Sequence, residues 1–215
     1  MLLPAYIDMH THREQTSDAV MALQNRYDGF DVPPGNQYCS MGLHPWYLGE
    51  VSAQMALLAH YARHRQVLAI GECGLDKICT TPWALQLEAF RQQIALAEQL
   101  KKPLIVHCVR AYTEIMALLK TVVVPVIIHG FQKKPELAAA LLGQGFYLSF
   151  GKALLENKAQ AAASLAATTA DRFFLETDHA ALPIRRIYEA ASEIRKTGPD
   201  ELILQLQKNF KTVFT

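Results

Sequence analysis

The sequence predicts an α/β fold, a distorted (β/α)8 barrel that lacks one or two early helices. Three observations lead there: eight short β-prone runs, helix-patterned segments between most of them, and histidines or carboxylates recurring where those runs end. The 215 residues fit one domain of this size class, so residues 1–215 are expected to form a single barrel domain. A hydrophobic fraction of 51% supplies its core.

The first strand is the run Leu3 to His12, which ends in two histidines one residue apart. In an extended strand, side chains at i and i+2 share a side, so His10 and His12 converge on one point with Asp8 behind them. Two converging imidazoles are a way to hold a transition metal, and a nearby carboxylate can orient a ring. Ala19 to Asn25 reads as a second strand, Asp28 to Gln37 as a loop with Gly29, Pro33, Pro34 and Gly35, and Tyr38 to His44 as a third strand. The first two connections are too short for crossover helices, which predicts an antiparallel second strand. From there the pattern is regular. Helix-like Ser52 to Arg65 precedes a strand at Val67 to Glu72, and Trp83 to Lys101 is the next helix, with Leu87, Phe90, Ile94 and Ala97 on one face. Strand Pro103 to Cys108, helix Tyr112 to Thr121, strand Val124 to His129 and helix Pro135 to Leu142 follow. Strand Phe146 to Phe150, an alanine-rich helix from Ala153 to Ala167, and strand Phe173 to Asp178 complete the set of eight strands. Two helices close the chain, Pro183 to Lys196 and Pro199 to about Phe214.

Position makes the unusual residues informative. His10 and His12 end strand one, Glu72 strand four, His107 strand five, His129 strand six and Asp178 strand eight. In a parallel barrel all those ends lie on one rim, where active sites are built. Four imidazoles and two carboxylates suffice for two metal ions, and a carboxylate there could take a proton from an acidified water. Cysteine is absent from the set, which argues against a closed structural zinc site.

Charge and cysteine usage narrow the setting. A formal net charge of +1 provides no strongly basic field for non-specific nucleic-acid binding, so any nucleic acid needs a local site. Cys39, Cys73, Cys79 and Cys108 show no paired spacing and read as reduced thiols. No stretch reaches the ~18 apolar residues of a membrane span, and the N-terminus has no basic leader pattern. A soluble, cytoplasmic protein without membrane contact or an obligate protein partner is expected. Arg110, Lys77, Lys133 and Lys134 follow rim strand ends and offer cations to a phosphate, while Trp46 and Tyr47 after His44 offer rings to a base. His60 and His64, spaced i, i+4 on a helix, read as a surface pair.

Ordered motifs run through the chain: Asp8-Met9-His10-Thr11-His12, Gly42-Leu43-His44-Pro45, Gly71-Glu72-Cys73-Gly74-Leu75-Asp76, Pro103-Leu104-Ile105-Val106-His107, Ile128-His129-Gly130-Phe131 and Leu175-Glu176-Thr177-Asp178. Together they resemble the TatD-related deoxyribonucleases of the metal-dependent amidohydrolase superfamily. The resemblance implies a distorted TIM barrel with two divalent ions (Mg, Mn or Zn) and hydrolysis of phosphodiester bonds in DNA, of the 3'-5' exonuclease type. It further implies that His10, His12 and Asp178 hold one ion and His107 and His129 the other, with Glu72 bridging. Asp178 would also help activate the water, and His44 would face the substrate. Several positions depart from the family pattern. The chain is short, Arg110 stands three residues after His107 rather than two, Gly130-Phe131-Gln132 replaces a serine-rich turn, and His179 follows Asp178. The altered loops keep open an alternative, an amidohydrolase or esterase acting on a small molecule or an aminoacyl-tRNA.

Overall fold

A computed structural model describes residues 6–14, 17–31, 37–156 and 158–214. The start of the expected first strand (Leu3 to Ala5) and the loop residues Pro33, Pro34 and Gly35 lie outside them. Eight strands are present: β1 (Tyr6–Thr11), β2 (Val20–Arg26), β3 (Tyr38–Met41), β4 (Val67–Asp76), β5 (Leu104–Val109), β6 (Val126–Ile128), β7 (Tyr147–Phe150) and β8 (Phe173–Leu175). The helices are α1 (Val51–Tyr61), α2 (Trp83–Leu100), α3 (Tyr112–Leu118), α4 (Pro135–Gly143), α5 (Ala159–Ala167), α6 (Ile184–Arg195) and α7 (Pro199–Phe214). The strands form one sheet in the order β1 to β8, and the fold is of the (β/α)8 TIM-barrel class, with no helix among the described residues before β3.

The chain divides into two compact units, one of residues 1–24 and 128–215, the other of residues 25–127. In the first unit β1 and β2 pair in parallel, with Tyr6 opposite Val20 and Thr11 opposite Gln24. This corrects the expectation of an antiparallel second strand. A parallel return needs only enough chain to retrace the strand. Residues 12–19 reach roughly 26 Å when extended, against roughly 20 Å for six-residue β1, so no helix is required. β7 pairs with β8 in parallel, and Thr11 bridges to Asp178 beyond β8. The alanine-rich segment is not one helix: a 3-10 turn at Lys152–Leu154 precedes α5.

In the first unit the aromatic side chains Phe131, Phe150, Phe173 and Phe174 are fully buried. α6 turns Ile184, Ile187, Tyr188 and Ala191 inward. The Tyr188 hydroxyl accepts the Ile7 N–H at 3.0 Å and donates to the Ile7 carbonyl at 3.1 Å, which ties α6 to β1 one turn of chain before the histidines.

In the second unit β4 pairs in parallel with β3 and β5. Gly71 and Gly74 make the β4–β5 approach possible. Both have φ near +140°, and a Cβ on them would lie 2.4 Å from the Ile105 oxygen and 2.1 Å from the His107 oxygen. Side chains cannot adopt either condition. β4 therefore continues to Asp76, paired with Val109, and Glu72 lies within the strand rather than at its end. Against β4 packs α2, whose buried face carries Phe90, Ile94 and Ala97 of the four residues its spacing predicts, with Leu87 only half-buried, and also two glutamines, Gln86 and Gln93.

Replacing Tyr188 by Phe leaves the Ile7 N–H and carbonyl without their buried partner. The expected cost is about 1–3 kcal/mol, read as a lower urea midpoint with an unchanged slope.

Candidate metal centre

In the first unit the backbone builds the site. The Asp178 N–H donates to the His10 carbonyl at 2.9 Å, and the His12 N–H donates to the Asp178 carbonyl at 3.1 Å. Asp178 is thus gripped by the backbones of His10 in β1 and His12 just beyond it, and held at φ 52°, a left-handed conformation that aspartate tolerates at a cost. Its Oδ1 lies 3.8 Å from His10 Nε2 and 3.5 Å from His12 Nε2. The His129 ring centroid is 4.5 Å from that of His10. Donor atoms of His10, His129 and Asp178 all fall within 4.8 Å of one another, and those of His12, Asp178 and His179 do likewise. His179 stacks on His12 at 3.7 Å.

Asp8 does not orient either histidine ring as its place in the strand suggested. Its carboxylate accepts the Thr177 N–H (2.9 Å) and the Thr177 hydroxyl (2.6 Å), so it anchors the residue before Asp178. Burial pushes the Asp8 carboxyl up to about 7 despite those bonds. Glu176, fully buried, accepts the Gly130 N–H at 2.7 Å and lies 3.4 Å from His129 Nδ1. Burial acts to raise the Glu176 carboxyl, but His129, His10 and Ser149 outweigh it and hold it below the ordinary glutamate value. Glu176 is a carboxylate behind a metal-type histidine, the arrangement that sets a ring's tautomer and direction. The sequence places it in a motif without a role, because the strand-end position that marks Asp178 says nothing of a partner just beyond β6.

The second unit carries its own cluster. Glu72 Oε1 lies 3.1 Å from His44 Nε2 and 2.8 Å from His107 Nδ1, and all three offer donor atoms within 4.8 Å. His44 Nδ1 accepts the Trp46 N–H at 3.1 Å, which leaves the His44 proton on Nε2, facing Glu72. Asn25 holds Glu72 in place, accepting its N–H at 2.8 Å and donating to Oε2 at 3.3 Å. On its far side His107 Nε2 lies 3.1 Å from Asp76 Oδ2. Asp76, with no exposure, also accepts the Trp46 indole N–H at 2.6 Å and the Ile78 N–H at 2.8 Å. Burial works to raise the Asp76 carboxyl; the Trp46 and Ile78 hydrogen bonds and His107 prevail and lower it. Arg110 is exposed at the end of β5, with φ 54° and no ion pair among the described residues. His60 and His64 are both exposed, but α1 ends at Tyr61, so His64 lies in the turn beyond the helix and the two are not an i, i+4 pair on it.

The two α2 glutamines position this cluster. Gln93 accepts the Leu43 N–H (2.7 Å) and donates to the Leu43 carbonyl (3.1 Å), fixing the residue before His44. Gln86 does the same for Asp76, at 2.8 and 3.1 Å. Each side-chain amide imitates a neighbouring strand. Their polarity on an otherwise apolar helix face was the available signal.

Imidazole nitrogens and carboxylate oxygens without thiolates suit divalent ions of the Mg, Mn or Zn kind, and both clusters fit such a ligand by donor chemistry. A barrel of this class carrying histidine–carboxylate clusters is a metal-dependent hydrolase. The chain belongs to the TatD-related DNase family, whose model matches residues 10–215. It is 29% identical over 197 residues to an uncharacterized metal-dependent hydrolase of Buchnera aphidicola, covering 83% of this chain and 74% of that one. It is 31% identical over 175 residues to the 3'-5' ssDNA/RNA exonuclease TatD of Cronobacter sakazakii, covering 76% of this chain. The match spans 62% of that exonuclease's length. In fold it is similar to YJJV, a TatD homologue from Escherichia coli K12, with a TM-score of 0.87, 21% identity and 99% of both chains covered.

Replacing Asp76 by Ala strands the Trp46 and Ile78 donors and the Nε2 side of His107. The expected destabilisation is about 3 kcal/mol, read as a lower Tm in a thermal melt.

Proposed function

We propose that this chain is a metal-dependent phosphodiesterase that shortens single-stranded nucleic acid from its 3' end, using two divalent ions. The observation that carries this reading is the pair of histidine–carboxylate clusters, one in each compact unit, which between them contain all six residues that the family resemblance implies as ligands, beside His44 and His179. His10, His12, His129 and Asp178 would supply ligands in the first unit and Glu72 and His107 in the second. When bound, such ions acidify a water and neutralise charge developing on a phosphate.

The chain's own groups divide the remaining work. Asp178, with a third of its side chain exposed, takes the proton from the attacking water. His44, protonated at Nε2, donates a hydrogen bond to a phosphate oxygen in place of Glu72. Glu176 and Asp76 keep the His129 and His107 rings oriented through their outer nitrogens. Arg110, exposed and without an ion pair among the described residues, adds a cation for the nucleic-acid backbone.

Two features favour a nucleic acid over a small amide or ester. In the first unit Lys152 and Lys158, which share the exposed Glu156 as an ion-pair partner, line a cleft together with Asp178 and Gln132. In the second, exposed Trp46 and Tyr47 flank His44. Lysines and an exposed indole suit a polyanionic strand of bases better than a small neutral molecule. The name of the Cronobacter relative supports the 3'-5' polarity. No described helix is long and apolar enough to cross a membrane. The four cysteines are free, which supports a reducing, cytoplasmic setting.

End-labelled single-stranded DNA, incubated with the protein with and without Mg²⁺ or Mn²⁺, tests the reading. Stepwise shortening is expected only with metal, and it should vanish in a His10→Ala, Glu72→Ala double variant. Intact DNA after incubation with folded, metal-loaded protein would sink the nuclease reading and turn attention to small amides and esters.

A further inference from the structure

Trp46 is a large aromatic side chain with half its surface in water, at 52% exposure. Nothing in its position requires this, since a tryptophan usually buries most of its area. Its ring is nevertheless not loose. The indole N–H is fastened to the buried Asp76 carboxylate at 2.6 Å, and the residue's own N–H to His44 Nδ1 at 3.1 Å. The ring lies nearly perpendicular to His44 (centroids 5.3 Å apart, planes at 87°) and to His107 (6.1 Å, 78°). Among the described residues no ring lies parallel to it. Its neighbour Tyr47 differs, being stacked on Tyr27 at 4.6 Å and 24°. Trp46 thus presents an open, rigid π-face beside the histidine that the proposed function assigns to the phosphate.

We infer that Trp46 is the stacking platform for the nucleobase at the 3' end of a single strand, seated next to the phosphate that His44 contacts. This rests on the nuclease reading and specifies its substrate contact. The occupant is a base, because a flat uncharged ring gains most from an open indole face, and its attached phosphate then falls beside the histidines. Fastening the indole to Asp76 removes the cost of ordering it when substrate arrives. Stacking of this kind tolerates every base, since each has a π-face. The site should accept any sequence, with purines preferred over pyrimidines by their larger ring.

The test is a cycle between protein and substrate. Wild type, Trp46→Ala and Trp46→Phe are each given single-stranded DNA with ordinary bases and DNA with an abasic residue at the last or the penultimate 3' position. For ordinary DNA, Trp46→Ala should raise KM about tenfold, the size of one lost base–aromatic stack, with the effect falling on KM more than on kcat. Trp46→Phe keeps a ring but loses the tether to Asp76, and it should recover most of the affinity. On the abasic strand, wild type should lose the same tenfold and Trp46→Ala should lose nothing further. If both proteins lose equally on the abasic strand at both positions, Trp46 and the base are uncoupled and the inference falls. Should wild type leave every strand intact, the nuclease reading itself fails, and this inference fails with it. Metal content measured on the same preparations separates a stacking defect from a disturbed His107: equal metal loading is expected, and a Trp46→Phe variant that loses metal without raising KM would reassign Trp46 to supporting Asp76 alone.

Discussion

A carboxylate taken out of water has to be surrounded by donors, and that requirement organises this molecule. Asp8, Glu72, Asp76 and Glu176 are all buried. Each is paid for by a different set of partners: Thr177 for Asp8, Asn25, His44 and His107 for Glu72, Trp46, Ile78 and His107 for Asp76, and Gly130 with His129 for Glu176. Removing any one of them leaves donors stranded in an apolar interior. Of the histidines proposed as ligands, His107 and His129 are therefore oriented before any ion arrives, because the same carboxylates that need donors also fix their rings.

Backbone geometry supports this arrangement in two ways. In the first unit, Asp178 is bonded through its own N–H and carbonyl to the residues bearing His10 and His12, so three functional side chains are set by main-chain contacts rather than by packing. In the second, Gly71 and Gly74 let β4 lie close against β5, which brings Glu72 and Asp76 on one strand to the two nitrogens of His107 on the next. A methyl group at either glycine would meet a carbonyl oxygen well inside contact distance. The glutamines of α2 complete the second cluster by bonding to Leu43 and Asp76 as an additional strand would.

What departs from regular barrel construction lies early in the chain. β1 and β2 pair in parallel with no helix among the described residues between them, and the eight residues 12–19 have the reach to retrace a six-residue strand. The rule that parallel neighbours need a dozen or more residues describes crossovers built around a helix. It does not bound an extended return, and for that reason the antiparallel expectation failed at β2.

The sequence by itself determined the order of strands and helices and most of the core-facing side of α2, and it singled out six histidines and carboxylates as candidate ligands, because periodicity and spacing are local properties of the chain. His10 and His12 share a strand face whatever surrounds them. Only the tertiary structure decided which groups stand behind those residues. Asp8 serves Thr177 rather than a histidine, Glu176 serves His129, and Asp76 joins His107 to Trp46. It also decided that β4 runs past Glu72 and that two glutamines inside a helix act as strand mimics. The physical reason is the range of the interactions. An alternation of two residues or a turn of 3.6 can be read along the chain, whereas the partner of a buried carboxylate comes from wherever the folded backbone places a donor within 3 Å or so.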